Sequence, residues 1–352
     1  MPLFEVKEVD TQYYREHLED FLPEKMIDIH THVYKKEIRG KDIPREKRLV
    51  SWPALVAEED PIEDLLETYK LMFPGKKVYP CIFPTVQPED KIDEMNAYAN
   101  RCGKDNALPV LLYVHPTWPN EELERKLTEG TYQGIKVYLN LSPSYIPGNE
   151  IRIFDYLTPG HLSVLDKLGL MVMLHIPRSG RLGDPVNLAQ IMEIEEQYTN
   201  LQLILAHVGR AYCREDAGNA FKVLGETERL VFDFSANTNS WVFARALEAV
   251  GSKRMLFGSD LPISRMRMRR ICRDGIYVNL VPRGLYGDVS GDKNMGELDG
   301  KEAEALSFFM YEEIKAMKEA AGELGLGKKD IEDIFYGNAR RIIETTGFSF
   351  DE

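Results

Sequence analysis

Two imidazoles one residue apart, His30 and His32 in MIDIHTH, close a run that reads as a buried strand. Side chains two apart on a strand leave the same face, so both rings are presented to one point, as chelation of a single metal ion requires. Three more histidines close apolar runs: His115 in ALPVLLYVH, His175 in LMVMLHI and His207 in LQLILAHV. An acid, Asp260, closes RMLFGSD, and Lys136 lies inside QGIKVYLNL. Of the seven histidines, only His17 and His161 fall in helical stretches. A lone histidine on an apolar strand is usually a hydrogen-bonded core residue, but five at run ends form a set. Buried imidazoles cost desolvation unless each finds a partner, and one divalent cation satisfies three of them together with the Asp260 carboxylate.

The elements that must position these residues are eight short, continuous apolar runs, starting near Met26, Lys77, Ala107, Gln133, Leu170, Leu201, Leu230 and Arg254. Continuous rather than alternating patterning marks strands buried on both faces. Helix signals lie between them, as in DPIEDLLETYKLM and DPVNLAQIMEIEEQY. Strand and helix alternating eight times predict a closed (β/α)8 TIM barrel, whose site is built at the carboxyl ends of its strands. An open dinucleotide-binding sheet would carry a Gly-rich first turn, which is missing here. A leading helix near 11–21, insertions after strands one and eight, and closing helices within 300–346 complete one expected domain over 1–352, with the barrel core at 26–262. The insertion after strand eight, ISRMRMRRICRDGIYVNLVPRGLYGDVSGDKN, is basic in an acidic chain and reads as a lid or a solvated loop.

Lys and Arg total 44 against 57 Asp and Glu, a net charge of −13, which disfavours nucleic acid as a partner. No uninterrupted apolar run approaches a membrane span, and the first residues lack an export-type apolar segment, so no membrane partner is expected. The four cysteines are widely spaced, so neither a disulfide nor a thiolate zinc site is expected, and a cytoplasmic location follows. A small-molecule substrate and a homodimer are the expected partners.

IDIHTH, LHIPRSG, LILAHVG and LFGSDLP, in this order, resemble the amidohydrolase superfamily and, within it, the amidohydrolase-2 branch of metal-dependent barrel hydrolases and decarboxylases. The closing FYGNARRII is similar to the branch's C-terminal helix. The resemblance implies that His30, His32, His175 and Asp260 bind one divalent metal ion, while His207 stays unligated and contacts substrate or water. Zinc suits the nitrogen-rich set, with manganese the alternative. Lys136 matches the position that, when carboxylated, bridges two ions in binuclear members. A Lys paired with a nearby carboxylate is the other reading.

A divalent ion so held lowers the pKa of water bound to it, which makes hydrolysis of an amide or lactone the expected reaction, with Asp260 moving the proton and the metal or His207 polarising the carbonyl. Decarboxylation of an unsaturated or aromatic acid is the alternative on the same ligands. A binding-only barrel is disfavoured because every ligand position is filled. A nuclease would call for a strand-four carboxylate and a basic face. Arg178, Arg210 and Arg265 follow ligand-bearing strands and suit a carboxylate-bearing substrate, although each is also a candidate for an ordinary ion pair. His115, Trp52, Asn237 and Asn239 are further candidates for the pocket wall.

Overall fold

The computed structural model describes residues 3–39, 55–87 and 90–350. All eight expected strands form: β1 (Lys25–His32), β2 (Lys77–Phe83), β3 (Leu111–Tyr113), β4 (Gly134–Val137), β5 (Met171–Leu174), β6 (Gln202–Leu205), β7 (Val231–Asp233) and β8 (Met255–Leu256). Strands β3 to β8 pair in sequence as one parallel sheet, and β1 pairs with β2. Bridges from Ile82 to Val110 and from Thr31 to Leu261 join the two pieces, so the cylinder closes. This is the (β/α)8 barrel that the alternating pattern predicted.

The two faces of each strand feed two separate cores. Ile27, Ile29, Leu111, Met171, Met173 and Leu256 fill the interior. Met26, Leu112, Ile135, Val172, Leu203 and Phe232 pack outward against the helices. At the amino end of the strands, Ala339, Ile342 and Ile343 of the closing helix Asn338–Thr345 join the interior cluster, and Asn338 ties that helix to the carbonyls of Ser252 and Met255.

Other elements depart from the expectation in detail. The leading helix runs Glu8–Tyr13 and continues as a wider turn, Tyr14–Leu18. It is fastened to the segment between β8 and the insertion's first strand by a buried ion pair in which both Arg267 Nη atoms donate to Asp10, at 2.8 and 2.7 Å. The insertion after β8 is an ordered sheet rather than a loop. Its strands are β9 (Arg269–Arg273), β10 (Ile276–Pro282) and β11 (Met295–Leu298), in the order β11-β10-β9. Asp274 and Gly275 turn the β9–β10 hairpin with positive φ at both positions, as an Asp-Gly pair favours. Most of the insertion after β1, Trp52 included, lies outside the described residues.

The cysteine expectation is overturned. Cys213, after β6, and Cys272, on β9, form a disulfide with Cα atoms 5.8 Å apart. They stand 59 positions apart in sequence and meet only because the hairpin packs on the β6 loop. Without that expectation, the cysteine argument for a cytoplasmic location falls away. Among the described residues no helix is long and apolar enough to cross a membrane.

Candidate metal centre

Interior rows of side chains carry the polar groups to the barrel mouth. On β5, Met171 and Met173 face inward, and the same parity leads to His175; on β8, Leu256 leads to Asp260; on β7, Val231 leads to Asp233. Strand β1 needs a correction to reach the same place. Asp28 faces the helix layer, where its carboxylate accepts the Tyr69 hydroxyl at 2.7 Å. A register shift between Asp28 and Thr31 inserts one extra residue against β2. This bulge turns the alternation over, and His30 and His32 come out on the interior side. His207 gets there differently, through left-handed backbone at the end of β6 (φ 59°). Asp260, Arg210 and Ala236 also have positive φ, and such strain concentrates where a framework must aim side chains.

The resulting cluster is dense. His30 Nδ1 meets Asp233 Oδ2 at 2.9 Å, and because a carboxylate only accepts, the Nδ1 carries the proton and Nε2 offers a lone pair. That Nε2 lies 3.4 Å from Asp260 Oδ1 and 3.4 Å from Lys136 Nζ. His32 Nε2 is 3.1 Å from the same Asp260 oxygen, with its Nδ1 on the Thr85 hydroxyl at 2.8 Å. His207 Nδ1 donates to the Ser235 carbonyl at 3.0 Å, leaving its Nε2 with a free lone pair. The His175 ring lies tilted against Tyr138, centroids 4.3 Å apart, and edge-on to His207 at 5.1 Å. Its Nδ1 is buried with no hydrogen-bond partner among the described residues.

Burial sets the protonation states. It drives all four imidazoles below the ordinary histidine value, His207 to about 4, so each ring is neutral near pH 7. Burial opposes the charges of the two acids, but neighbouring imidazoles outweigh it. His30 and His207 hold Asp233 down to about 2, and His207, His32 and His30 hold Asp260 well below the usual carboxylate range. Burial lowers Lys136 to about 8, against the pull of Asp260 and Asp233.

These residues fit a divalent cation. Ligand atoms in a tetrahedral site with bonds of about 2.0–2.1 Å stand roughly 3.3 Å apart, and the 3.4 and 3.1 Å separations around Asp260 are of that size. Donor atoms of His30, His207 and Asp260 all lie within 4.8 Å of one another. The orphaned His175 Nδ1 and the unprotonated Nε2 atoms of His30 and His207 are groups a cation would satisfy.

The outer candidates divide. Arg178 donates to Asp184 at 2.9 Å, and Arg265 sits 3.5 Å from the buried Asp60, so both hold ordinary ion pairs. Arg210 has no carboxylate partner among the described residues; one Nη reaches the carbonyls of Ile176, Pro177 and Arg178 at 3.2–3.3 Å. His115 bonds within its own turn, to Thr117 at 2.8 Å. Asn237 and Asn239 fasten the β7 loop to the β6 loop through the carbonyls of Ala211 and Tyr212. Sequence reasoning missed Asp233, which fixes His30 and also accepts the backbone N–H of His207 at 3.0 Å. The one available signal was an acid inside the apolar run LVFDFSA.

Solved structures share this fold. A zinc-bound amidohydrolase from Burkholderia multivorans superposes with a TM-score of 0.57 at 14% identity, covering 91% of this chain and 99% of that one. A probable 2-pyrone-4,6-dicarboxylic acid hydrolase from Acinetobacter baumannii, with citric acid bound, gives 0.52 at 15% identity, with 91% and 99% covered. The IDCase of Metarhizium anisopliae, in apo form, gives 0.55 at 13% identity, with 91% and 97% covered. No curated protein matches the chain in sequence. The sequence model of the amidohydrolase family, whose members are metal-dependent hydrolases or decarboxylases, matches residues 27–344, and the chain belongs to that family.

Proposed function

We propose that this protein is a metal-dependent hydrolase that cleaves an amide or lactone bond of a small, carboxylate-bearing substrate. His30, His32, His175 and Asp260 would hold one divalent ion, zinc in the first instance. The observation that carries the reading is the cluster at the barrel mouth, where the Nε2 atoms of His30 and His32 stand 3.4 and 3.1 Å from the ionised Asp260 carboxylate, His207 lies within 4.8 Å of His30 and Asp260, and the buried His175 Nδ1 has no partner among the described residues. A divalent ion there supplies Lewis acidity and a lowered pKa for water.

The chain's own residues supply the rest. Asp260 is ionised and, at 16% exposed, reaches the mouth, so it takes the proton from the attacking water and later hands it to the leaving nitrogen or oxygen. His207 is neutral with its Nδ1 proton committed to the Ser235 carbonyl. Its free Nε2 accepts a hydrogen bond and orients the water, rather than donating to the carbonyl. Asp233 holds the ring of His30 in one tautomer. Arg210 places a cationic edge beside His175, where it contributes to the depressed value of that ring, and a substrate carboxylate suits it. The A. baumannii neighbour, a probable 2-pyrone-4,6-dicarboxylic acid hydrolase, supports the choice of substrate class.

The test is elemental analysis of untagged protein purified without added metal, followed by assays on acidic lactones, acidic amides and unsaturated carboxylic acids. About one ion per chain with ring-opened or amide-cleaved product supports the proposal. Carbon dioxide release without hydrolysis replaces it with decarboxylation, and protein that neither contains nor gains metal overturns it.

A further inference from the structure

The insertion after β8 carries a charge that nothing among the described residues neutralises. Arg270, on β9, lies over the rings of Tyr212, Tyr277 and Phe309, at 4.7, 4.6 and 4.6 Å. Its Nε donates to Asn279 Oδ1 at 2.8 Å and its Nη1 to the Ala236 carbonyl at 2.5 Å. The second terminal nitrogen, Nη2, makes no hydrogen bond to the described residues, and no carboxylate among them stands within ion-pair distance. Glu313, the carboxyl whose charge reaches it, is itself driven well above the ordinary glutamate range by burial, so it offers no compensating charge near pH 7.

Two other arginines stand by Tyr212, and they differ. Arg181 lies over Tyr212 and Tyr277 at 5.2 and 5.0 Å, but its Nη1 is on Asp216 at 2.5 Å and its charge is spent. Arg210, like Arg270, has an acid nowhere within ion-pair reach among the described residues and commits only Nη1, to three carbonyls. Arg210 and Arg270 both act electrostatically on the Tyr212 phenol. Ala236, where Arg270 is anchored, is the neighbour of Ser235, which holds His207. Arg270 is thus anchored one residue from the carbonyl that holds His207, and Arg210 on the carbonyls that follow His175. A weakly hydrated guanidinium against aromatic faces, with part of its donor fork unused, is built to receive a carboxylate.

We propose that Arg270, acting with Arg210, is a specificity-determining residue that holds a carboxylate of the substrate remote from the bond that reacts, so that the enzyme selects dicarboxylates over monocarboxylates. The inference rests on the metal-centred reading above and adds a second anionic anchor to it.

The test compares isophthalate with benzoate, and glutarate with butyrate, by calorimetric titration of the metal-loaded protein. The native protein is expected to bind each dicarboxylate at least tenfold tighter than its monocarboxylate partner. Arg270→Gln should lose that margin while its metal content and benzoate affinity stay within twofold. Arg283→Gln, on the same insertion but facing solvent and paired with Glu297 and Asp299, should keep it. A margin that survives Arg270→Gln, or none in the native protein, overturns the proposal. Because the variant can fail to fold, the native protein is also treated with phenylglyoxal and mapped by mass spectrometry. Isophthalate, and not benzoate, should slow modification of Arg270 at least fivefold, and equal rates overturn the proposal. Loss of the metal-centred reading would show separately, as native protein without metal.

Discussion

Asp233 Oδ2 stands 2.9 Å from His30 Nδ1, and its other oxygen takes the backbone N–H of His207 at 3.0 Å. One carboxylate on β7 thus sets the ring of one metal-site histidine and the main chain of another. Partners of this kind fix the tautomer that leaves Nε2 free, and their loss typically weakens metal binding about 10- to 100-fold. Asp233→Asn is expected to bind zinc within that range more weakly, measured by competition with a chelator. An unchanged affinity would reduce Asp233 to a packing residue.

Lys136 decides between one ion and two. Its Nζ is buried 3.4 Å from His30 Nε2, and its value of about 8 leaves a fraction of neutral amine, the form that captures carbon dioxide. We expect one ion per chain, retained in Lys136→Met and lost in His30→Ala and Asp260→Ala. Two ions in the native protein, falling to one or none in Lys136→Met and rising with bicarbonate, would make Lys136 a carboxylated bridge.

Gly258 packs where the interior row narrows toward the site. A Cβ built there meets His30 Cβ at 2.9 Å and the Cβ atoms of Asp233 and Ser235 at 3.4 Å. Gly258→Ala must displace the β1 histidine, and overpacking of this kind costs about 1–3 kcal/mol. Urea unfolding should show a loss of that size together with weaker metal binding. Full stability and full metal affinity would mean that β1 moves freely.

Glu313 gives the chain a pH-dependent liability. It accepts the Ala236 N–H at 2.7 Å, while its other oxygen is buried without a partner among the described residues. Burial raises its value well above normal, so the native state holds a proton that the unfolded state releases. Its contribution to stability therefore falls as pH rises from the ordinary carboxyl range toward the raised value. Glu313→Gln is expected to match the native protein at pH 4.5 and to exceed it by at least ~1 kcal/mol at pH 8. A variant that is less stable at pH 8 would show that Glu313 is ionised and paired.

What the sequence made legible follows from how far each signal reaches along the chain. Strands buried on both faces write themselves as continuous apolar runs, so β1 to β8 were readable, and His30, His175, His207 and Asp260 showed as interruptions at their ends. The Asp-Gly turn of the β9–β10 hairpin is also present in RDGI, but only the second of its strands, IYVNLVP, is apolar, while the first, RRICR, is charged and hides the hairpin in a basic stretch. Relationships across the barrel left no local trace. Asp233 is 203 positions from the ring it holds, and the bulge that turns His30 inward depends on the register with β2 rather than on any residue type. The arginines show the same limit. Arg178, Arg210, Arg265 and Arg270 are alike as letters, and only the fold reveals that acids neutralise the first and third.

The bond between Cys213 and Cys272 closes a covalent ring in the chain, and the site residues divide around it. Asp233, Asp260 and Arg270 lie on the ring, while His30, His32, Lys136, His175 and His207 lie outside it. In the chain-entropy picture a closure of this length is worth about 4 kcal/mol against unfolding. Its position matters as much, because it joins the residue after Tyr212 to the strand that carries Arg270. Opening the ring would remove the covalent tie between the hairpin and the β6 loop, while the ring contact of Tyr212 with Tyr277 and the Arg270 guanidinium over both would still join them, and the barrel's own strand pairing would be untouched.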